Sequence, residues 1–114
     1  MREIKFRVWD KQKKFMIKTV TIQNLTYKFA SNKDHIFLQY TGLKDKNGKE
    51  IYEGDIVYID DEAINVVFEE GAFKVHTKYD GDWLLSELDL SNLEVIGNIY
   101  ENPELLKGDK PWRN

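Results

Sequence analysis

Two histidines, twenty carboxylates and seventeen lysines and arginines are the groups with which this 114-residue chain does any acid–base, metal or electrostatic chemistry. His35 and His76 stand alone, with no second histidine at the three-to-five-residue spacing of a zinc pair, and there is no cysteine to supply a thiolate. The acidic runs Asp60-Asp61-Glu62 and Asp80-Gly81-Asp82 lack the alternating oxygen ligands and distant bidentate Glu of a calcium loop and read as solvated turns. Ser31, Ser86 and Ser91 fall in expected loops, none within a Gly-x-Ser-x-Gly elbow. Gly42, Gly48 and Gly54 recur every six residues but open no helix, so no array of amides is aimed at a phosphate, and they read as turn positions. No catalytic, metal-binding or cofactor-binding residue is assigned, and a binding protein is expected rather than an enzyme.

The sharper signal is charge. Residues 1–33 carry a net +7, with nine basic and two acidic groups; the remainder carries −10. Lys5, Arg7, Lys11, Lys13 and Lys14 cluster around Phe6, Trp9 and Phe15. Cations interleaved with aromatic rings suit phosphates and stacked bases. The surface formed by Lys5, Arg7, Trp9, Lys11, Lys13 and Lys14 is therefore a candidate for nucleic acid or a protein partner. The same cations can equally meet the acidic part of the same chain or of a second copy. That second reading is preferred, because a pI near 5.4 lies far below that of typical nucleic-acid binders. A homo-oligomer, or a complex with a host or phage protein, is the expected partnership, with nucleic acid as the alternative. Trp9 and Trp112 are candidate anchors.

The elements that must carry these groups read as strands. Ile4, Phe6 and Val8 alternate with Glu3, Lys5 and Arg7, giving a half-buried strand whose polar face meets solvent. Asp10 to Lys14 turns the chain into Phe15-Met16-Ile17, a hairpin. Further strands are read at 19–22, 25–29 and 36–40. The stretch 41–55 is turn-rich, with Asn47-Gly48 the strongest signal, and more strands follow at 56–59, 64–69, 73–77 and 93–100. Residues 83–90 fit either a strand end or one or two helical turns. Gly97 interrupts the parity of Val95, Ile96 and Ile99 and marks a bulge. Asn102 and Pro103 fit the cap and first position of a short helix that Gly108 would end. Seven or eight short strands separated by frequent turns argue for an all-β protein. The expectation is a small SH3-like or OB-like barrel over residues 54–100. An N-terminal hairpin would extend the sheet or lie on its flank, and a short helix would close the chain.

The chain is read as one domain: a basic segment at 1–40, a barrel core at 41–101, a helix at 102–108 and a tail at 109–114. The expected core includes Phe6, Val8, Leu38, Ile56, Val66, Phe68, Phe73, Val75, Val95 and Ile99. No apolar run reaches the roughly 18 residues of a membrane helix, and the sequence begins with strand-like alternation rather than a signal core. With no cysteine, cytoplasm is the expected compartment.

Three stretches resemble the YopX family of phage and prophage proteins. They are Lys5 to Asp10 (KFRVWD), Gln39 to Val57 (QYTGLKDKNGKEIYEGDIV) and Val95 to Leu106 (VIGNIYENPELL). The second is long enough to be specific. The resemblance implies a small, mainly β, self-associating protein of phage origin. It carries over no catalytic residue, metal or cofactor.

Overall fold

The computed structural model describes residues 3–24 and 31–107. The strand read at 25–29, the helix-ending Gly108 and Trp112 lie outside the described residues. Nine strands form two antiparallel sheets: β1 (Lys5–Asp10), β2 (Phe15–Thr21), β3 (His35–Lys44) and β4 (Glu50–Tyr52) in the order β2-β1-β3-β4, and β5 (Asp55–Ile59), β6 (Glu62–Glu69), β7 (Ala72–His76), β8 (Asp82–Leu84) and β9 (Glu94–Asn98) in the order β8-β7-β6-β5-β9.

The all-β class is as expected, and the turns carry the chemistry read from them. Asp60 and Asp61 both have positive φ, as do Glu70 and Gly71. Each pair is the two-residue loop of a hairpin whose twist requires left-handed backbone. Gly48, at φ 79°, closes the β3–β4 turn.

The barrel read over 54–100 stays open. β8 and β9 are opposite edges of their sheet and do not pair. Between them the chain makes two 3-10 turns, Leu85–Glu87 and Leu90–Asn92. These place Leu85 and Leu93 in the core beside Val57, Val66 and Val75, with Leu88 and Leu90 packed against it. Leucines thus fill the side that strand pairing would have closed, which also answers the ambiguity at 83–90: a three-residue strand followed by helical turns. The N-terminal hairpin lies on the flank, joined to β3 and β4 in a sheet of its own, and β3 runs across the division drawn at residue 40. The turn-rich stretch 41–55 conceals one strand, β4, whose Ile51 enters the core of the other sheet.

Two side chains and one bulge differ from expectation for definable reasons. Phe68 shares the parity of buried Ile64 and Val66, yet it is 47% exposed because β6 has run past the core toward its hairpin tip. There it meets the Phe73 ring edge-on at 5.0 Å. Phe68→Ala is therefore expected to cost about 1 kcal/mol in chemical denaturation, against the roughly 3–5 kcal/mol of a buried phenylalanine. A loss in the higher range would show that the ring is covered. Asn102 is the N-cap of the C-terminal 3-10 helix (Pro103–Leu106), with Pro103 in its first turn as expected, but its side chain makes no cap hydrogen bond. Its Oδ1 instead accepts the Asn98 N–H at 3.2 Å. Finally, the bulge near Gly97 falls one residue earlier. Ile56 pairs with Gly97 and Val57 with Val95, leaving Ile96 as the extra residue. Gly97 is required for space, since a Cβ there would lie 2.6 Å from Asn102 Oδ1.

Candidate functional site

The face of β1 that alternation assigned to solvent is the seam between the two sheets. Lys5, Arg7 and Trp9 share that face, and each has a partner there: Lys5 within its own sheet, Arg7 on the other sheet and Trp9 on the segment after β9. Lys5 Nζ pairs with Glu50 on β4 and lies over the Tyr40 ring. Arg7 Nη2 donates to Asp55 on β5, and its guanidinium sits 4.4 Å from the centre of the Tyr52 ring. Trp9 stacks on Tyr100 at 5.6 Å. The side chains of Lys5 and Arg7 are only 11% and 14% exposed: Lys5 is spent on an acid of its own sheet, and Arg7 on an acid of the other.

Asp55 is the centre of this seam. It is 1% exposed; one oxygen takes Arg7 and the other accepts the Tyr52 N–H at 2.8 Å. Burial pushes its carboxyl above the ordinary carboxylate value, against the pull of Arg7 and the Tyr52 amide. Burial likewise pushes the Tyr52 hydroxyl up to about 12, and the Glu50 charge adds to the rise. Lys5 is raised, chiefly by its hydrogen bond to Glu50.

The rest of the candidate basic surface is separate. Lys11, Lys13 and Lys14 are exposed in the β1–β2 turn. Asp10 shapes that turn by accepting the Gln12 and Lys13 N–H groups, both at 3.0 Å. Of the six residues expected to form one patch, the structure thus leaves three together in solvent and commits three to the interior seam. The residues missed were the partners of this β1 face: Glu50 and Tyr52 on β4, Asp55 on β5, and Tyr100. The opposite net charges of the two parts of the chain were the signal for them.

The acids gather elsewhere. The Asp60–Asp61 hairpin and the loop around Asp80 flank a cleft of about 500 Å³, whose wall also carries Glu87, Asp89, Tyr79 and Trp83. Several of these groups shape local turns. Asp89 accepts the Ser91 N–H, Glu87 accepts the Leu84 N–H, and Trp83 Nε1 donates to the Asp80 carbonyl. On the neighbouring hairpin, His76 bridges Glu69 at 2.9 Å and Asp82 at 2.7 Å. Its pKa is raised, first by the hydrogen bond to Asp82. Among the described residues no group of three or more His, Asp or Glu side chains is arranged to hold a metal ion. No described helix is long and apolar enough to cross a membrane.

The model of the YopX protein family matches residues 18–107. The SPbeta prophage-derived uncharacterized protein YopX of Bacillus subtilis (strain 168) is 38% identical over 73 residues, which is 55% of this chain and 54% of that protein. The match thus spans about half the length of that relative. A crystal structure of protein EF1440 from Enterococcus faecalis superposes with a TM-score of 0.69 at 26% identity, over 94% of this chain and 100% of that one. The crystal structure of protein yopX from Bacillus subtilis superposes with a TM-score of 0.59 at 24% identity, over 90% and 98%. At that identity the second likeness is one of fold.

Proposed function

The chain belongs to the YopX protein family, and from that premise we propose that it is a prophage-encoded accessory protein of the host cytoplasm that acts by binding, not by catalysis, and first of all by binding further copies of itself. Phage origin is supported by the resemblance to the prophage-derived relative. Self-association is supported by one observation above all: a cluster of exposed lysines on one sheet and a cluster of acids on the other, although exposed Lys78 and Lys107 also lie near the acids. Lys11, Lys13 and Lys14 project from the hairpin of one sheet, while Asp60, Asp61, Asp80, Glu87 and Asp89 crowd one end of the other. Unlike patches on different parts of one surface attract head to tail rather than face to face. Such heterologous contacts close into rings or extend as filaments. Their complementarity acts mainly on encounter rate and register.

The expected result is an apparent mass in light scattering that exceeds the monomer at low salt. It falls as ionic strength shortens the screening length to a few ångströms. Lys13→Glu with Lys14→Glu reverses the sign of the basic turn at exposed positions and is expected to leave a folded monomer under the same low-salt conditions. A wild-type monomer at every concentration and ionic strength would end the self-association reading.

The nucleic-acid alternative rests on the same three lysines, since Lys5, Arg7 and Trp9 are engaged within the fold. The double variant separates the two readings. Loss of salt-sensitive DNA or RNA binding, with no change in mass, would favour nucleic acid.

A further inference from the structure

Two departures from regular strand pairing converge on one place. In the β1–β2 ladder Phe6 pairs with Val20 and Val8 with Ile17, so that Lys18 and Thr19 together stand opposite Arg7. Thr19 takes a φ of 58°, a left-handed backbone that a β-branched residue adopts only at a cost. In the other sheet, the β5–β9 slip that leaves Ile96 unpaired sits beside Asp55. Both bulges line the same cleft of about 390 Å³ at the junction of the sheets, a size within the range of small-ligand sites. Bulges re-aim side chains and gather beside functional sites.

The polar groups of this cleft have a sign. Arg7 lines it with Nη2 held by Asp55 and its plane over Tyr52, which fixes the guanidinium in place. Its Nε–H is buried and has no hydrogen-bond partner among the described residues. Buried donors are ordinarily satisfied, and an unpaired one calls for a reason. Lys18 and Lys49 also line the cleft, and neither has an ion-pair partner among the described residues. Of the carboxylates on the same walls, Asp55 is neutralised by Arg7 and Glu50 by Lys5. Glu101, exposed on the rim, accepts the Asn98 side-chain amide at 2.8 Å. Against the Glu101 charge stand the fixed Arg7 guanidinium, with its buried unpaired Nε–H, and two flexible ammonium groups on the same walls, a donor set that suits an oxyanion.

We propose that the inter-sheet cleft around Arg7, walled by the Lys18–Thr19 and Ile96 bulges, is a binding site for an oxyanion, a phosphate or carboxylate group borne by a small molecule. Arg7 supplies the rigid donor. Lys18 and Lys49 close over the charge. The Thr19 strain is the cost of the bulge that sets Lys18 on the cleft wall.

The test is an amide NMR titration of the whole chain with inorganic phosphate, and in a parallel arm with acetate, each balanced with sodium chloride to constant ionic strength. The expected result is saturable shifts at Lys18, Thr19, Lys49 and Gly97 in at least one arm; the arm that saturates identifies the oxyanion. Lys18→Gln with Lys49→Gln changes two exposed residues and leaves the Arg7–Asp55 seam intact. It is expected to keep the rest of the spectrum in place and to weaken the binding by about tenfold or more, some 1.4 kcal/mol. Shifts that stay linear in both arms, or that are unchanged in the double variant, would overturn the proposal.

Discussion

Asp55→Ala is expected to be among the most damaging single changes to this protein, lowering its stability by about 3–5 kcal/mol. The expectation follows from where the carboxylate sits rather than from how many contacts it makes. Asp55 is buried at the first residue of β5 and faces Arg7 from the opposite sheet. Removing it leaves a guanidinium desolvated with no counter-ion, and leaves the Tyr52 amide without an acceptor. Removing both charges, as Arg7→Met with Asp55→Leu, is expected to recover part of the loss, because the remaining orphan is then one amide. Urea denaturation of the wild type, the single variant and the double variant measures both steps. A loss under about 1 kcal/mol for Asp55→Ala would mean that the pair is solvated and that the seam does not depend on it.

The same burial gives this group an unusual pH signature. An acid whose folded pKa lies above its unfolded value holds its proton more readily in the fold. Its contribution therefore falls as pH rises from the ordinary carboxylate value through the elevated one. Asp45 runs the other way. Its burial pushes the pKa up, but three backbone N–H groups outweigh that and leave it lowered. Its contribution is present above the ordinary Asp value and is lost as pH falls through the depressed one.

Asp45→Ala is the second large effect, expected to cost about 2–4 kcal/mol. One carboxylate oxygen accepts the Asn47 and Lys49 N–H groups at 2.8 and 2.9 Å, which shapes the β3–β4 turn. The other accepts the buried Val95 N–H at 2.9 Å, which ties that turn to β9 of the second sheet. Water can replace the two turn contacts at their exposed residues, but it has poor access to Val95. Asp45→Asn is expected to fall well short of rescue, because it places an amide donor against one of the backbone donors. Thermal unfolding with hydrogen exchange at Val95 reads both parts. An unchanged Val95 exchange rate in Asp45→Ala would remove the proposed tie between turn and sheet.

These two carboxylates show how far the amino-acid order alone could reach. Asp45 lies in the turn-rich stretch 41–55, two residues before Asn47-Gly48, and Asp, Asn and Gly at such spacing prefer bent and left-handed backbone whatever surrounds them. That its second oxygen crosses to Val95, fifty residues away, was not legible, since no local preference encodes a long-range acceptor. Asp55 reads only as the last residue of that turn-rich stretch. Its partner was visible as a cation of the basic third, and the pairing of that third with the acidic remainder was the preferred reading, but not which cation meets which acid.

Side-chain alternation told which residues of β1 share a face, and it correctly separated Val8 from Arg7. It could not tell that the second face is also covered, because period two records opposition, not exposure. Phe68 marks the same limit from the other direction. Its parity with Val66 is right, and its exposure depends on where the hairpin leaves the core.

The chain's own order determined an antiparallel β protein, its turns, the parity of its strands and the opposition of charge between its two parts. These follow from backbone sterics and local side-chain pattern, which act within a few residues. Tertiary structure alone decided that the barrel stays open with leucines in its gap. It decided that Lys5, Arg7 and Trp9 face inward while Lys11, Lys13 and Lys14 face out. It also brought two bulges from separate sheets to one cleft. Each of these depends on how one sheet is laid against the other, a geometry set by the packing of residues dozens of positions apart.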